Sequence, residues 1–255
     1  MTVYESVCYR KPFLKEVIVR VDLASTISAI DQVLPPKIAN VALNHFPITE
    51  PKKVLEQSLQ IGPAEFRHSK SEVTQWHYYG KNREKRLAIA SASLLATYSK
   101  YTSYEDLKED FLAVLRVFFE TYPDARASRV GLRYINNIEI PSTNPFSWAQ
   151  YIAPAMLGLL DFFQEREHLT RIFHIVEFRF EDLNVKFQFG LPNPEFPSVI
   201  KSPIFVLDLD GYVQGSQDFS EIGINIDLAH TRIQKLFEES VTEELRRVMR
   251  ATSGT

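Results

Sequence analysis

The order of segments constrains this chain more than any single motif does. Residues 15–23 alternate strictly, with Val17, Val19, Val21 and Leu23 on one face, which reads as a half-buried strand. A weak helical stretch follows over 26–34 and is expected to stop at Pro35-Pro36. The proline-rich part up to Pro63 allows a short helix after Pro51. Strands are expected over 73–79 and 87–98, around a turn at Gly80. Ala88, Ala90, Ala92 and Ala96 then share one face of the second of these. Thr102 and Glu105 have capping-box spacing and open a helix carrying Leu107, Phe111, Val114, Leu115 and Phe118 at helical period. That helix ends near Pro123.

From Ser128 the order repeats. A strand covers 129–140, and Asn144-Pro145 starts a helix through Phe163 with a kink at Pro154. Strands follow over 171–181, 185–190 and 204–213. A last helix, capped by Asp227, carries Ile233, Phe237, Val241, Leu245 and Val248, and residues 251–255 read as a frayed tail. Side by side, the halves give β-α-β-β-β-α twice without residue-level identity. The expected fold is α+β, a duplicated unit with largely antiparallel sheets and helices packed on one side. The repeats would span 1–126 and 127–255 and form one compact domain overall.

Composition narrows the function classes. A 255-residue chain with 45% hydrophobic and 24% charged residues can bury a sizeable core without a disulfide or metal staple. The single cysteine, Cys8, has no internal partner, no signal-peptide core opens the chain, and no apolar run reaches bilayer length. A cytoplasmic protein is expected. Net charge is −3, which does not favour a phosphate-dominated nucleic-acid binder. The basic run from Lys81 to Arg86 reads as a solvated hairpin tip.

The segment Arg129-Val130-Gly131-Leu132-Arg133-Tyr134-Ile135-Asn136-Asn137-Ile138 resembles the mid-chain signature of a sporadically distributed bacterial family of similar length, whose members carry no assigned activity. Pro12 to Val17, Leu207-Asp208-Leu209-Asp210 and Phe237 to Met249 extend the resemblance over nearly the whole chain. Asn137 stands where that pattern commonly has arginine. The resemblance brings no chemistry with it. Its patchy distribution implies an accessory gene, in a defence or toxin–antitoxin setting.

Several common catalytic signatures are missing from the sequence. It has no Gly-rich phosphate loop, no Gly-x-Ser-x-Gly elbow and no histidine pair at zinc-helix spacing. Asp208-Leu209-Asp210-Gly211 opens like a calcium loop, but no later carboxylate follows at the needed spacing. No cofactor or metal is expected.

What stands out is a charged strand face. Alternation puts Arg129, Arg133, Asn137 and Glu139 on one side of the 129–140 strand; Glu16, Arg20 and Asp22 do likewise on the first strand. Glu177, Arg179 and Glu181 share a face, as do Asp208 and Asp210. Solvated cross-strand ion pairs account for such charges one by one, each worth under about 1 kcal/mol. The candidate binding residues are Arg20, Arg129, Arg133, Asn137, Arg179, Asp208 and Asp210. The leading expectation is a non-enzymatic protein that binds a macromolecular, chiefly protein, partner. The alternatives are an enzyme or small-ligand binder using the charged face or a cavity between repeats, and nucleic-acid binding on a saddle-like sheet. Oligomeric state stays open at this stage.

Overall fold

In the computed structural model, which describes residues 7–10, 12–61 and 66–253, the chain is α+β with antiparallel pairing throughout the ladders given below. In order, the elements are β1 (Val7–Tyr9), β2 (Leu14–Leu23), a 3-10 turn (Ser28–Asp31), α1 (Pro36–His45), β3 (Ile48–Thr49), β4 (Lys52–Ile61), β5 (Phe66–Tyr79), β6 (Lys85–Ala90), β7 (Ser93–Tyr98) and α2 (Tyr104–Thr121). Then come β8 (Ala127–Glu139), α3 (Pro154–Phe162), a second 3-10 turn (Arg166–His168), β9 (Ile172–Phe180), β10 (Leu183–Leu191), β11 (Ile204–Gln217), α4 (Phe219–Ser240), α5 (Glu243–Met249) and β12 (Ala251–Ser253). The chain divides into two compact units that are discontinuous in sequence. Unit 1 is Met1–Val17, Gly131–Gln214 and Ile224–Thr255; unit 2 is Ile18–Val130 and Gly215–Gly223.

Unit 2 orders its strands β3-β5-β6-β7-β2, with β4 pairing along β5. The β5–β6 and β6–β7 ladders are hairpins, with Tyr79 opposite Arg86, Lys85 opposite Tyr98 and Ala90 opposite Ser93. The expected single strand over 87–98 is therefore two strands, broken by a turn at Ser91 and Ala92. That turn puts Ala96 beside Leu87, on the face opposite to Ala88. The helix α2 is capped by Ser103, whose Oγ accepts from the backbone N–H of Asp106 at 3.0 Å, one residue later than the spacing suggested. Its stripe of Leu107, Phe111, Val114, Leu115, Phe118 and Phe119 is buried. Each such side chain contributes about 2 kcal/mol on leaving water.

Two readings of this part are corrected. Pro35 and Pro36 do not only stop a helix; Pro36 opens α1, where a missing N–H costs nothing and the fixed φ suits the first turn. The segment after Pro51 is the strand β4 rather than a helix.

Unit 1 orders its strands β8-β11-β10-β9, and β1 pairs β12 in a separate two-stranded sheet. Residues 251–253 are thus a strand rather than a frayed tail. The expected helix from Asn144 begins only at Pro154, which sits at its first turn instead of kinking it. Before it, residues 144–152 wind through turns around the buried Trp148, whose Nε1 donates to Pro145 O at 2.7 Å.

The last helical segment starts at Phe219, with Asp218 accepting from Ser220 N at 2.8 Å, so Asp227 lies within α4 rather than capping it. Gly211 lets α4 approach β11 closely; a Cβ there would meet Ala229 Cβ and Ile233 Cδ1 at 3.2 Å. Near the C-terminal end of α4, Glu238 is buried and accepts from Tyr9 OH at 2.7 Å and Arg246 Nε at 2.8 Å. Burial, then Glu238, pushes the Tyr9 phenol well above its ordinary range. No helix among the described residues is long and apolar enough to cross a membrane.

Candidate functional site

The polar strand face anticipated from sequence exists within unit 1, and its central members are bonded to each other. Alternation along β8 buries Leu132, Tyr134, Asn136 and Ile138 and turns Arg133 and Asn137 the other way. On β11, Asp208 lies opposite Gln188 and Asp210 opposite Lys186; on β9, Glu177 lies opposite Lys186 and Arg179 opposite Asn184. Arg133 grips Asp208 with a two-pronged fork, Nε to Oδ1 at 2.7 Å and Nη2 to Oδ2 at 2.6 Å. Gln188 Nε2 adds a longer contact to Oδ2 at 3.5 Å.

Asp208 is only 7% exposed, so its charge depends on that fork. The bond to Asp208 raises the Arg133 guanidinium above its already high value, and Asp210 and Glu16 add to the negative surroundings. Asn136, buried on the apolar side, finds the Leu207 carbonyl at 3.3 Å. Asn137 contributes its backbone N–H to Phe13 O at 2.9 Å.

The other candidates are placed apart from this pair. Arg179 is exposed on β9. Arg20 belongs to unit 2 and donates from Nε to its neighbour Asp22 at 2.7 Å. Arg129 is a half-buried member of unit 2. The structure therefore brings Arg133, Asp208 and Asp210 into one neighbourhood and leaves Arg20 and Arg129 in another unit.

Unit 2 holds a group that sequence reasoning missed. Asp110, on the second turn of α2, receives three partners. His45 Nδ1 meets Oδ1 at 2.8 Å, while Lys85 Nζ and Tyr98 OH donate to Oδ2 at 2.5 Å and 2.9 Å. Lys85 also lies 4.9 Å from the centre of the buried Phe46 ring. Four elements supply the group: the last turn of α1, the first residue of β6, the last of β7, and α2.

Direct cross-strand pairing sets Lys85 beside Tyr98. Asp110 stands three residues after Leu107 and four before Val114, so it sits on the inward stripe of α2. Burial, then the Asp110 charge, drives the Tyr98 phenol far above its ordinary range, so it acts as a hydrogen-bond donor throughout the physiological span.

This group lines a cavity of about 310 Å³ together with Glu84, Lys100, Thr102, Ser103, Asp106 and Glu109. With Nδ1 turned to Asp110, the other ring nitrogen of His45, which lines the cavity, is the one left to hydrogen-bond a ligand. Among the described residues no set of three or more His, Cys, Asp or Glu is placed to hold a metal ion.

A signal for the site was present in the sequence. Asp110 is a carboxylate on an otherwise apolar helical stripe, and a buried charge there demands partners. His45 falls on the stripe of Ile38 and Ala42 in α1. That stripe is visible only once Pro36 is read as a helix start. The basic run beside Gly80 reads as solvent-facing, which fits the exposed Lys81, Asn82 and Arg83 but not Lys85, which turns inward.

No family model and no curated protein matches the chain. Among solved structures it is similar to one titled "Methanococcus jannaschii TBP", at 11% identity over 90% of this chain and 99% of that one, with a TM-score of 0.24. A likeness at that TM-score carries no argument about fold or function.

Proposed function

We propose that the protein binds a small, polar, amine-bearing molecule in the unit 2 cavity, with the Asp110 group as its floor. One observation carries the reading. A cavity of about 310 Å³ is lined by convergent ionisable side chains, of which His45, Lys85, Tyr98 and Asp110 are held in place by their own bonds. Its lining has four carboxylates (Glu84, Asp106, Glu109 and Asp110) against two ammonium groups (Lys85 and Lys100). That balance favours a positively charged ligand. His45, oriented by Asp110, supplies an imidazole nitrogen able to accept a hydrogen bond from it.

The test is calorimetric titration of the full chain with putrescine, spermidine and agmatine, beside phosphate and citrate as anionic controls. Saturable heat with an amine that disappears in Asp110→Asn supports the reading. Heat with the anions alone, or amine binding indifferent to Asp110, removes it.

A protein partner, the leading expectation from sequence, is the second reading. Exposed apolar side chains on β9 of unit 1 favour it, chiefly Ile175 at 58% and Val176 at 38% exposure.

A further inference from the structure

Strand β9 is the last strand in the order of the unit 1 sheet, and among the described residues its ladder is made with β10 alone. Sheet edges are ordinarily protected by charged side chains (lysine above all), proline, a bulge, shortness or a covering element. β9 has no lysine and no proline, carries its charges as the opposite pair Glu177 and Arg179, and runs for nine residues, Ile-Phe-His-Ile-Val-Glu-Phe-Arg-Phe. It is held close to β10 at Gly190, whose φ is +139°; a Cβ there would fall 2.3 Å from Ile172 O.

The row beside it on β10, Leu183, Val185, Phe187, Phe189 and Leu191, is buried. The corresponding row on β9 is not fully covered. Val176 lies opposite Phe187 and Phe178 opposite Val185, yet Val176 is exposed and Phe178 and Phe180 are only half-buried. The apolar layer of the sheet therefore continues to an open rim.

The strand also complements itself. Glu177 and Arg179 are exposed, lie two residues apart on the same face, and flank Phe178. Resting on the protein-partner reading, we propose that the partner is a second copy of this chain, joined antiparallel through β9 about a two-fold axis at Phe178. Residues 176–180 of each copy then face each other. Glu177 stands opposite the partner's Arg179 and Arg179 opposite the partner's Glu177. On the other face, Val176 meets the partner's Phe180. Each direct pair of opposite charge favours this register, and each like-charge pair opposes it. The open backbone groups of the edge gain ladder bonds, and the apolar rim is covered.

Sedimentation velocity of the full chain, from micromolar to millimolar concentration, tests this with wild type, Glu177→Arg, Arg179→Glu and the double swap. Both positions are exposed, so each reversal costs the monomer under about 1 kcal/mol, even Glu177→Arg opposite Lys186. The expected result is a reversible dimer in wild type. Each single reversal raises the dissociation constant about tenfold or more, and the double swap returns it toward the wild-type value. A monomer at every concentration overturns the self-pairing. So does a dimer indifferent to the single reversals, or one that the double swap fails to restore. Capture of a different protein by a monomeric chain would sustain the protein-partner reading while sinking this one.

Discussion

Asp208 in unit 1 and Asp110 in unit 2 are both carboxylates largely withdrawn from solvent and bonded to a cation, but their surroundings differ. Asp208 is closed by one guanidinium fork between neighbouring strands, Arg133 Nε and Nη2 at 2.7 and 2.6 Å. Asp110 gathers His45, Lys85 and Tyr98 from three other elements and faces a cavity. A carboxylate and an arginine of matching geometry complete each other, which is a structural arrangement with little capacity left over. A carboxylate that orients an imidazole at the edge of open space has chemistry still to offer. Charge on a sheet face is thus a poorer guide to function than charge that converges on a void.

The sharpest way to break this contrast is Asp110→Asn, which should weaken amine binding on the order of 100-fold, read by calorimetry. The fold should persist, since Tyr98 and Lys85 can still bond the amide oxygen. Asp208→Ala should do the reverse. It lowers the unfolding free energy by about 2 kcal/mol, discounted because Arg133 is 38% exposed, and leaves amine affinity unchanged. Denaturant titration beside calorimetry separates the two effects. Loss of binding in Asp208→Ala with stability intact would reverse the assignment.

A pH experiment sharpens the comparison within unit 2. Burial holds His77 below its ordinary value of 6.5, and its Nδ1 has no hydrogen-bond partner. The unfolded chain takes up a proton near pH 6.5, and the folded chain takes it up only at lower pH. Stability from this residue is therefore present above that pH and lost as pH falls below it. His77→Phe should flatten the decline in thermal midpoint between pH 7 and 5; an unchanged decline would place its cause elsewhere. The smallest effect is expected at Arg20. Its pair with Asp22 is partly exposed and joins neighbours on one strand, so Arg20→Ala should shift stability by less than about 1 kcal/mol and leave amine binding untouched.

Period and capping carried much of the fold. The alternation of Val17, Val19 and Val21 and the stripe of α2 correspond to buried faces, because burial selects side chains at the period of the element. Turn chemistry carried less. Pro36 and Pro154 each open a helix, and a proline reads equally well as a breaker when its neighbours are not placed. The 87–98 run concealed a two-residue turn at Ser91 and Ala92, where neither glycine nor asparagine marks it.

Site legibility followed the same line. Arg133 and Asp208 were nominated from alternation and do meet, but alternation reports a shared face and not who bonds whom. The Asp110 group joins residues 45, 85, 98 and 110, which only tertiary packing assembles. Its local traces are the Asp110 carboxylate in the apolar stripe of α2 and His45 on the stripe of α1.

Where the amine binds is read most directly by a heteronuclear NMR titration of the full chain with spermidine, following backbone amides in both units. Binding in the unit 2 cavity predicts saturable shifts centred on His45, Lys85, Tyr98, Thr102 and Asp110, with the amides around Arg133 and Asp208 still. Shifts centred on the β8–β11 face, or a spectrum unmoved by any amine, would contradict it.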